Sequence, residues 1–113
     1  QLCFYLDAET EQKVMAQLPG LASSRWCDVF ADVNVAGVDK AVGVRSFVKH
    51  LGIDISEAIA FGDGGNDIPM LRAAGIGVAM GNASDEVKKH ADYITASVDD
   101  DGLYKAFKHF ELI

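Results

Sequence analysis

The sequence predicts an α/β fold: part of a doubly wound parallel sheet over residues 37–113, preceded by part of an α+β module over residues 1–36. Three short segments, residues 58–61, 76–80 and 93–98, are apolar on both faces, the pattern of strands covered by helices on each side. Helical periodicity fills the intervals between them, and strands separated in that way imply right-handed crossovers and parallel pairing. The boundary falls at Gly37, where apolar residues stop alternating and begin to recur at spacings of three and four.

Residues 2–6 read as a strand, and Asp7 as the N-cap of a helix that carries Val14, Met15 and Leu18 and is stopped by Pro19 and Gly20. From Cys27, residues Val29, Ala31, Val33 and Val35 share one strand face while Asp28, Asp32 and Asn34 share the other, with Phe30 as the exception. One wet face is what antiparallel sheets permit. Asp39 then caps a helix whose apolar stripe is Ala41, Val44, Phe47, Val48 and Leu51, and Gly52 suits the position just past its end. A helix from about residue 67 to 74 links the first two apolar strands, a helix opened by Ser84 links the second and third, and a last helix carries Leu103, Phe107 and Phe110. Trp26, Phe47, Phe107 and Phe110 read as core or interface.

The chain has 113 residues, room for one full domain and not two. Ten Lys and Arg against seventeen Asp and Glu leave a net charge of −7, the wrong sign for a groove that tracks nucleic-acid phosphates. No apolar run approaches the ~20 residues of a membrane helix, and no secretory signal is visible. Cys3 and Cys27 are isolated and read as buried thiols of a reducing compartment, so a cytoplasmic location is expected. The chain opens at Gln1 without an initiator Met and enters an apolar stretch at once, as a piece of a longer polypeptide would.

Ligands of open α/β sheets sit beyond the carboxyl ends of the strands. The first such loop, Gly62-Asp63-Gly64-Gly65-Asn66-Asp67, holds two carboxylates and an amide between a buried strand and a helix start. Its three glycines allow positive φ and close approach of backbone, and Asn66 or Asp67 can cap a helix whose free N–H groups attract anions. A phosphate suits that end but two carboxylates repel it. A hard divalent cation removes the conflict, since Mg²⁺ takes carboxylate and phosphate oxygens into one shell. Treating Asp63 and Asp67 as solvated caps leaves acid at both ends of the loop unexplained.

Lys40 stands in the first turn of its helix, where the macrodipole disfavours a cation by up to about 1 kcal/mol. Such a breach of a local rule fits a lysine that neutralises a bound phosphate. Other candidates have simpler accounts. Ser84 explains Gly81-Asn82-Ala83-Ser84 as a capping turn, although that segment could shape the same rim. Asp99-Asp100-Asp101-Gly102 reads as an acidic helix start, and His50, His90 and His109 as surface residues.

The run from Ala60 through Gly62-Asp63-Gly64-Gly65-Asn66-Asp67 to Leu71, continued by Ala74-Gly75-Ile76-Gly77-Val78-Ala79-Met80-Gly81-Asn82-Ala83, resembles the haloacid dehalogenase-like (HAD) superfamily, and among it the Cof-type sugar-phosphate phosphatases. The likeness extends from Val38 to Gly102 and includes Lys40 and Ala91-Asp92-Tyr93-Ile94-Thr95. It implies a HAD-like Rossmannoid sheet, here only its C-terminal portion, with residues 1–36 as the tail of the α/β cap domain. It further implies that Asp63 is a direct Mg²⁺ ligand and that Asp67 sits in or behind the metal shell, holding water or Lys40. Asn66 would touch the substrate phosphate, and Lys40 would stabilise the phosphoryl group. The family's attacking aspartate and its Asp-x-Asp-Gly-Thr strand are missing, and Asp99-x-Asp101-Gly102 has Leu103 where Thr belongs. The resemblance therefore implies a Mg²⁺-dependent phosphomonoesterase acting on a small phosphorylated metabolite through an aspartyl-phosphate, with the nucleophile on the remainder of the parent polypeptide and no turnover by these residues alone. Two alternatives remain at this level: the phosphorylation domain of a P-type cation pump, which uses a similar loop, and a non-catalytic HAD-like ligand-binding domain.

Overall fold

The computed structural model describes every residue except Trp26; the expectation for that side chain lies outside the described residues. By Cα proximity the chain divides into two units, Gln1–Val38 and Asp39–Ile113.

In the first unit β1 (Leu2–Phe4), α1 (Ala8–Met15), β2 (Leu21–Ser24) and β3 (Ala31–Val35) follow one another. The Asp7 carboxylate accepts from the Thr10 N–H at 2.7 Å and so opens α1 as expected. The strands form an antiparallel sheet in the order β1-β3-β2. The sequence reading is corrected at several points: β1 stops at Phe4 and not at residue 6, and α1 stops at Met15, so that Leu18 lies beyond the helix expected to carry it. The strand expected from Cys27 begins only at Ala31, and β2, unforeseen, lies along it. Leu-Ala-Ser-Ser has no local strand preference; pairing with β3 over its whole length makes it a strand. Because β3 is central, Asp32 is flanked by Cys3 on one side and Ser24 on the other. It is therefore buried, whereas Val35 at the end is exposed, so the wet face is narrower than simple alternation suggests. Arg25 donates to Glu11 through Nε (2.7 Å) and to the Leu6 carbonyl through a terminal nitrogen (2.7 Å), tying α1 to the strand ends. Cys3 is exposed and Cys27 half-buried, both as free thiols, contrary to the expectation that they are buried.

In the second unit α2 (Lys40–Leu51) is capped by Asp39, which accepts from the Val42 N–H at 2.9 Å. It ends at Gly52, whose φ of 71° is the left-handed conformation that closes a helix. β4 (Ile59–Gly62), α3 (Ile68–Ala73), β5 (Ile76–Ala79), α4 (Asp85–Lys88), β6 (Tyr93–Ile94) and α5 (Gly102–His109) follow. The three strands are parallel, in the order β4-β5-β6. Leu71, Ala79 and Val87 form the buried centre with Ala60 and Ala83. β6 is shorter than the expected strand over 93–98: past it the Thr95 N–H still donates to the Ala79 carbonyl (3.0 Å), but the Thr95 hydroxyl donates to the Gly102 carbonyl (2.7 Å) and turns the chain into α5. Along α2 only Ala41 is buried. Phe47 and Leu51 stay exposed beside a groove that Val44, Val48 and Ile59 also line, at the edge of β4 that no strand among the described residues pairs. Of the aromatics expected in a core or interface, Phe107 packs edge-on against Phe61 with ring centroids 5.2 Å apart, and Phe110 packs edge-on against Tyr93 at 5.4 Å. Among the described residues no helix is long and apolar enough to cross a membrane.

Candidate functional site

The carboxyl ends of β4, β5 and β6 carry the loops that sequence reasoning singled out. After Gly62 the chain makes a 3-10 turn, Gly65–Asp67, that runs directly into α3, with Pro69 in the first turn where its missing N–H costs nothing. None of Gly62, Gly64 and Gly65 adopts positive φ; Gly62 and Gly64 serve the loop by their size, whereas a side chain at Gly65 would meet open space. A Cβ on Gly62 would lie 2.5 Å from the Asp67 Cβ, and one on Gly64 would lie 2.8 Å from the Asn66 Oδ1. The close approach is therefore between the loop and its own side chains.

Asp67 is the centre of the loop and is 5 % exposed. Its Oδ2 accepts from the Asp63 N–H (3.0 Å) and the Gly64 N–H (2.9 Å), and its Oδ1 accepts from the Lys40 ammonium. Burial alone would raise its pKa, but the Lys40 bond and the two backbone N–H bonds outweigh it and hold the carboxyl below the usual carboxylate range. The cation at the start of α2 that seemed unfavourable thus has a buried carboxylate as partner, which offsets the macrodipole.

Asp63 is exposed. Its Oδ2 accepts from the Asn82 side-chain amide at 2.8 Å, and among the described residues no bond is made to its Oδ1. Lys40, Asp63 and Asp67 line one cleft of about 380 Å³, whose other walls include Met70, Met80 and Leu103. Asn66, the other residue expected at the site, is exposed on the 3-10 turn and does not line the cleft. The turn after β6 adds Val98 to the rim. Asp99 and Asp100 are exposed, and Asp101 precedes α5 at a φ of 57°. His50 and His109 are exposed and His90 is half-buried beside Glu86; none lines the cleft. Sequence reasoning gave Asn82 no role of its own; its place in the loop after the second parallel strand was the available signal.

A single carboxylate oxygen open to the cleft suits Mg²⁺, which uses one or two protein carboxylates and completes its octahedron with water and substrate phosphate. Among the described residues no group of three or more His, Cys, Asp or Glu side chains could hold a metal ion, so a Mg²⁺ site here would rest on Asp63 with water and substrate oxygens completing the shell.

A short parallel sheet with a carboxylate, a lysine and an acidic Gly-rich loop at its carboxyl end defines the class. The family profile of haloacid dehalogenase-like hydrolases matches residues 1–107, and the chain belongs to that family. It is 60% identical to BT1666, a HAD phosphatase of Bacteroides thetaiotaomicron, with a TM-score of 0.88 over 98% of this chain and 41% of that one. The subclass IIB sugar phosphatase BT4131 shares 48% identity at a TM-score of 0.84, over 96% of this chain and 42% of its own. The 5-amino-6-(5-phospho-D-ribitylamino)uracil phosphatase YcsE of Bacillus subtilis is 46% identical over 81 residues, 72% of this chain and 32% of its own length. The chain thus spans less than half the length of these relatives. All three are named as phosphatases and none as a pump.

Proposed function

We propose that the polypeptide to which these residues belong is a Mg²⁺-dependent phosphomonoesterase acting on a small phosphorylated metabolite such as a sugar phosphate. The observation that carries the reading is a buried Asp67 held by the half-exposed Lys40, together with an exposed Asp63, at the end of a parallel sheet. In this reading Asp63 is the protein's ligand to the cation. Asp67 stands behind it, fixing the loop and aiming the Lys40 ammonium into the cleft. Lys40 contacts the phosphoryl oxygens from one side, and the Asn66 amide donates to them from the other. Bound Mg²⁺ would supply charge neutralisation for the transferring phosphoryl group, the main requirement of such chemistry.

The nucleophile is proposed to be an aspartate from outside these residues. Its carboxylate oxygen bonds to phosphorus as the bond to the leaving alkoxide breaks, and water then hydrolyses the aspartyl-phosphate to free phosphate. The unpaired edge of β4, with exposed Phe47 and Leu51 beside it, supports the addition of a further parallel strand there, which would end next to Asp63. Residues 1–36 are proposed to be the tail of a cap that shapes the substrate entrance, and residues 37–113 the C-terminal part of the catalytic core.

The full polypeptide, assayed on a panel of sugar phosphates and other phosphorylated metabolites, should release phosphate with Mg²⁺ and stop with EDTA. Asp63→Asn should depress the rate at least 100-fold, a loss on the order of that for a first-rank electrostatic group. The 113-residue chain alone should not turn over p-nitrophenyl phosphate. Sustained turnover by that chain, or near-normal rates for Asp63→Asn, would overturn the assignment.

A further inference from the structure

Beyond the four residues of the proposed chemistry, a fifth side chain touches the cleft machinery from a different loop. Asn82 follows β5, and its amide spans two neighbours. Its Nδ2 donates to the Asp63 Oδ2 at 2.8 Å, and its Oδ1 accepts from the Val98 N–H at 3.0 Å. The two bonds fix each other. With the oxygen committed to a backbone donor, the NH₂ group must face the carboxylate, so the amide has one sensible orientation. The backbone makes this bridge short: Gly81 packs so tightly on the turn after β6 that a Cβ there would lie 2.6 Å from the Ser97 nitrogen, and its N–H donates to the Ala96 carbonyl at 2.9 Å.

The charge of the partner matters as much as its position. Asp67 is held by a cation, Lys40, which lowers its proton affinity and cancels its charge. Asp63 is held by a neutral amide, which restrains the carboxylate through one oxygen while leaving its full negative charge and its second oxygen for a ligand. A lysine in place of Asn82 would compete with a metal ion; an alanine would leave the carboxylate to rotate freely and lose that rotamer entropy on binding.

We propose that Asn82 is a positioning residue for the cation site: it presents Asp63 to the metal in a fixed rotamer, with the Val98 N–H as its own anchor. The proposal rests on the reading of Asp63 as a Mg²⁺ ligand. Partners that orient metal ligands in this way are typically worth about 10–100-fold in affinity. Because Asn82 is exposed, the lower end applies.

The test uses the full polypeptide and two variants. Asn82→Ala removes both bonds. Val98→Pro removes only the anchor; residue 98 opens a 3-10 turn, where proline is tolerated, and Ser97 before it is already extended at ψ 158°. Mg²⁺ binding by titration calorimetry should weaken roughly 10-fold in Asn82→Ala and by a smaller factor in Val98→Pro. In Asn82→Ala the Mg²⁺ concentration for half-maximal phosphatase rate should rise in parallel, with the rate at saturating Mg²⁺ recovering to within about twofold and the metal-free urea midpoint unchanged, a split that a purely structural role would not give; Val98→Pro, at a residue of the cleft rim, is read by Mg²⁺ affinity alone. Mg²⁺ affinity within twofold of wild type in both variants, or a rate loss in Asn82→Ala that saturating Mg²⁺ does not restore, overturns the proposal while leaving Asp63 as ligand intact. If the unmodified polypeptide shows no Mg²⁺ binding that Asp63→Asn removes, the cation site itself is refuted, and Asn82's role with it.

Discussion

The Lys40–Asp67 couple makes a prediction whose size follows from exposure. Asp67 is almost wholly buried, with its side chain 7% exposed, while that of Lys40 is 48% exposed. Removing one partner of a fully buried pair costs about 3–5 kcal/mol; exposed pairs are worth about 0.2–1 kcal/mol. A half-exposed lysine can swing into water when it loses its partner, so the interaction between the two belongs between these limits, at about 1–2 kcal/mol. A double-mutant cycle isolates it: Lys40→Met, Asp67→Asn and the double variant, unfolded in urea at pH 7 and followed by circular dichroism. Asp67→Asn alone should be the costlier single change. An amide whose oxygen accepts from the Asp63 and Gly64 N–H groups turns its own NH₂ against the Lys40 ammonium. Acid provides the second arm. A carboxyl held below its usual pKa adds stability that is fully present above the unfolded-chain value, near 4, and is lost as pH falls through the lower native value. The coupling should therefore persist at neutral pH and vanish in strong acid. Single-variant losses that sum to the double-variant loss within about 0.3 kcal/mol at pH 7 would refute the pairing.

Two further changes probe the frame of the site. Gly62→Ala places a Cβ 2.5 Å from the Asp67 Cβ and 2.9 Å from its Cγ, so it should cost about 1–3 kcal/mol by overpacking and lower the full polypeptide's phosphatase rate; a normal urea midpoint would show that the loop yields without strain. Leu71→Ala opens a cavity at a side chain only 1% exposed beneath α3, and should cost about 3 kcal/mol; a loss under about 1 kcal/mol would mean that this centre is not what holds the second unit together.

The second unit was the more legible in sequence because its grammar is local. Asp39, Gly52 and Ser84 sit at the helix ends they announced, and apolar runs on both faces became parallel strands in chain order. The first unit resisted where pairing overrides propensity: Ala22, Ser23 and Ser24 become strand because β3 lies beside them. At the site, residue types and chain spacing pointed to Lys40, Asp63 and Asp67, which the fold brings to one cleft. Types and spacing do not say which carboxylate Lys40 meets, because residues 27 positions apart are joined by tertiary geometry alone; only the family resemblance pointed to Asp67 as its holder. The Asn82 bridge was hidden for the same reason, being made across 19 residues on one side and 16 on the other.

That division of partners changes how the charges of the cleft add up. Read from sequence, two carboxylates faced one phosphate and both called for a cation. In the fold the Lys40 ammonium already compensates Asp67 inside the loop, so one uncompensated negative charge remains, on the exposed Asp63. A phosphate monoester dianion would still meet repulsion from it, and Lys40, already hydrogen-bonded to Asp67, cannot cancel both. A dication beside Asp63 turns the net charge of these residues from −1 to +1, which offsets the carboxylate of the proposed nucleophile and removes the repulsion that the dianion would otherwise meet. On this reading Asp67 sets the geometry and Asp63 sets the dependence on metal. Replacing either should harm the enzyme, but only loss of Asp63 should abolish the cation's binding.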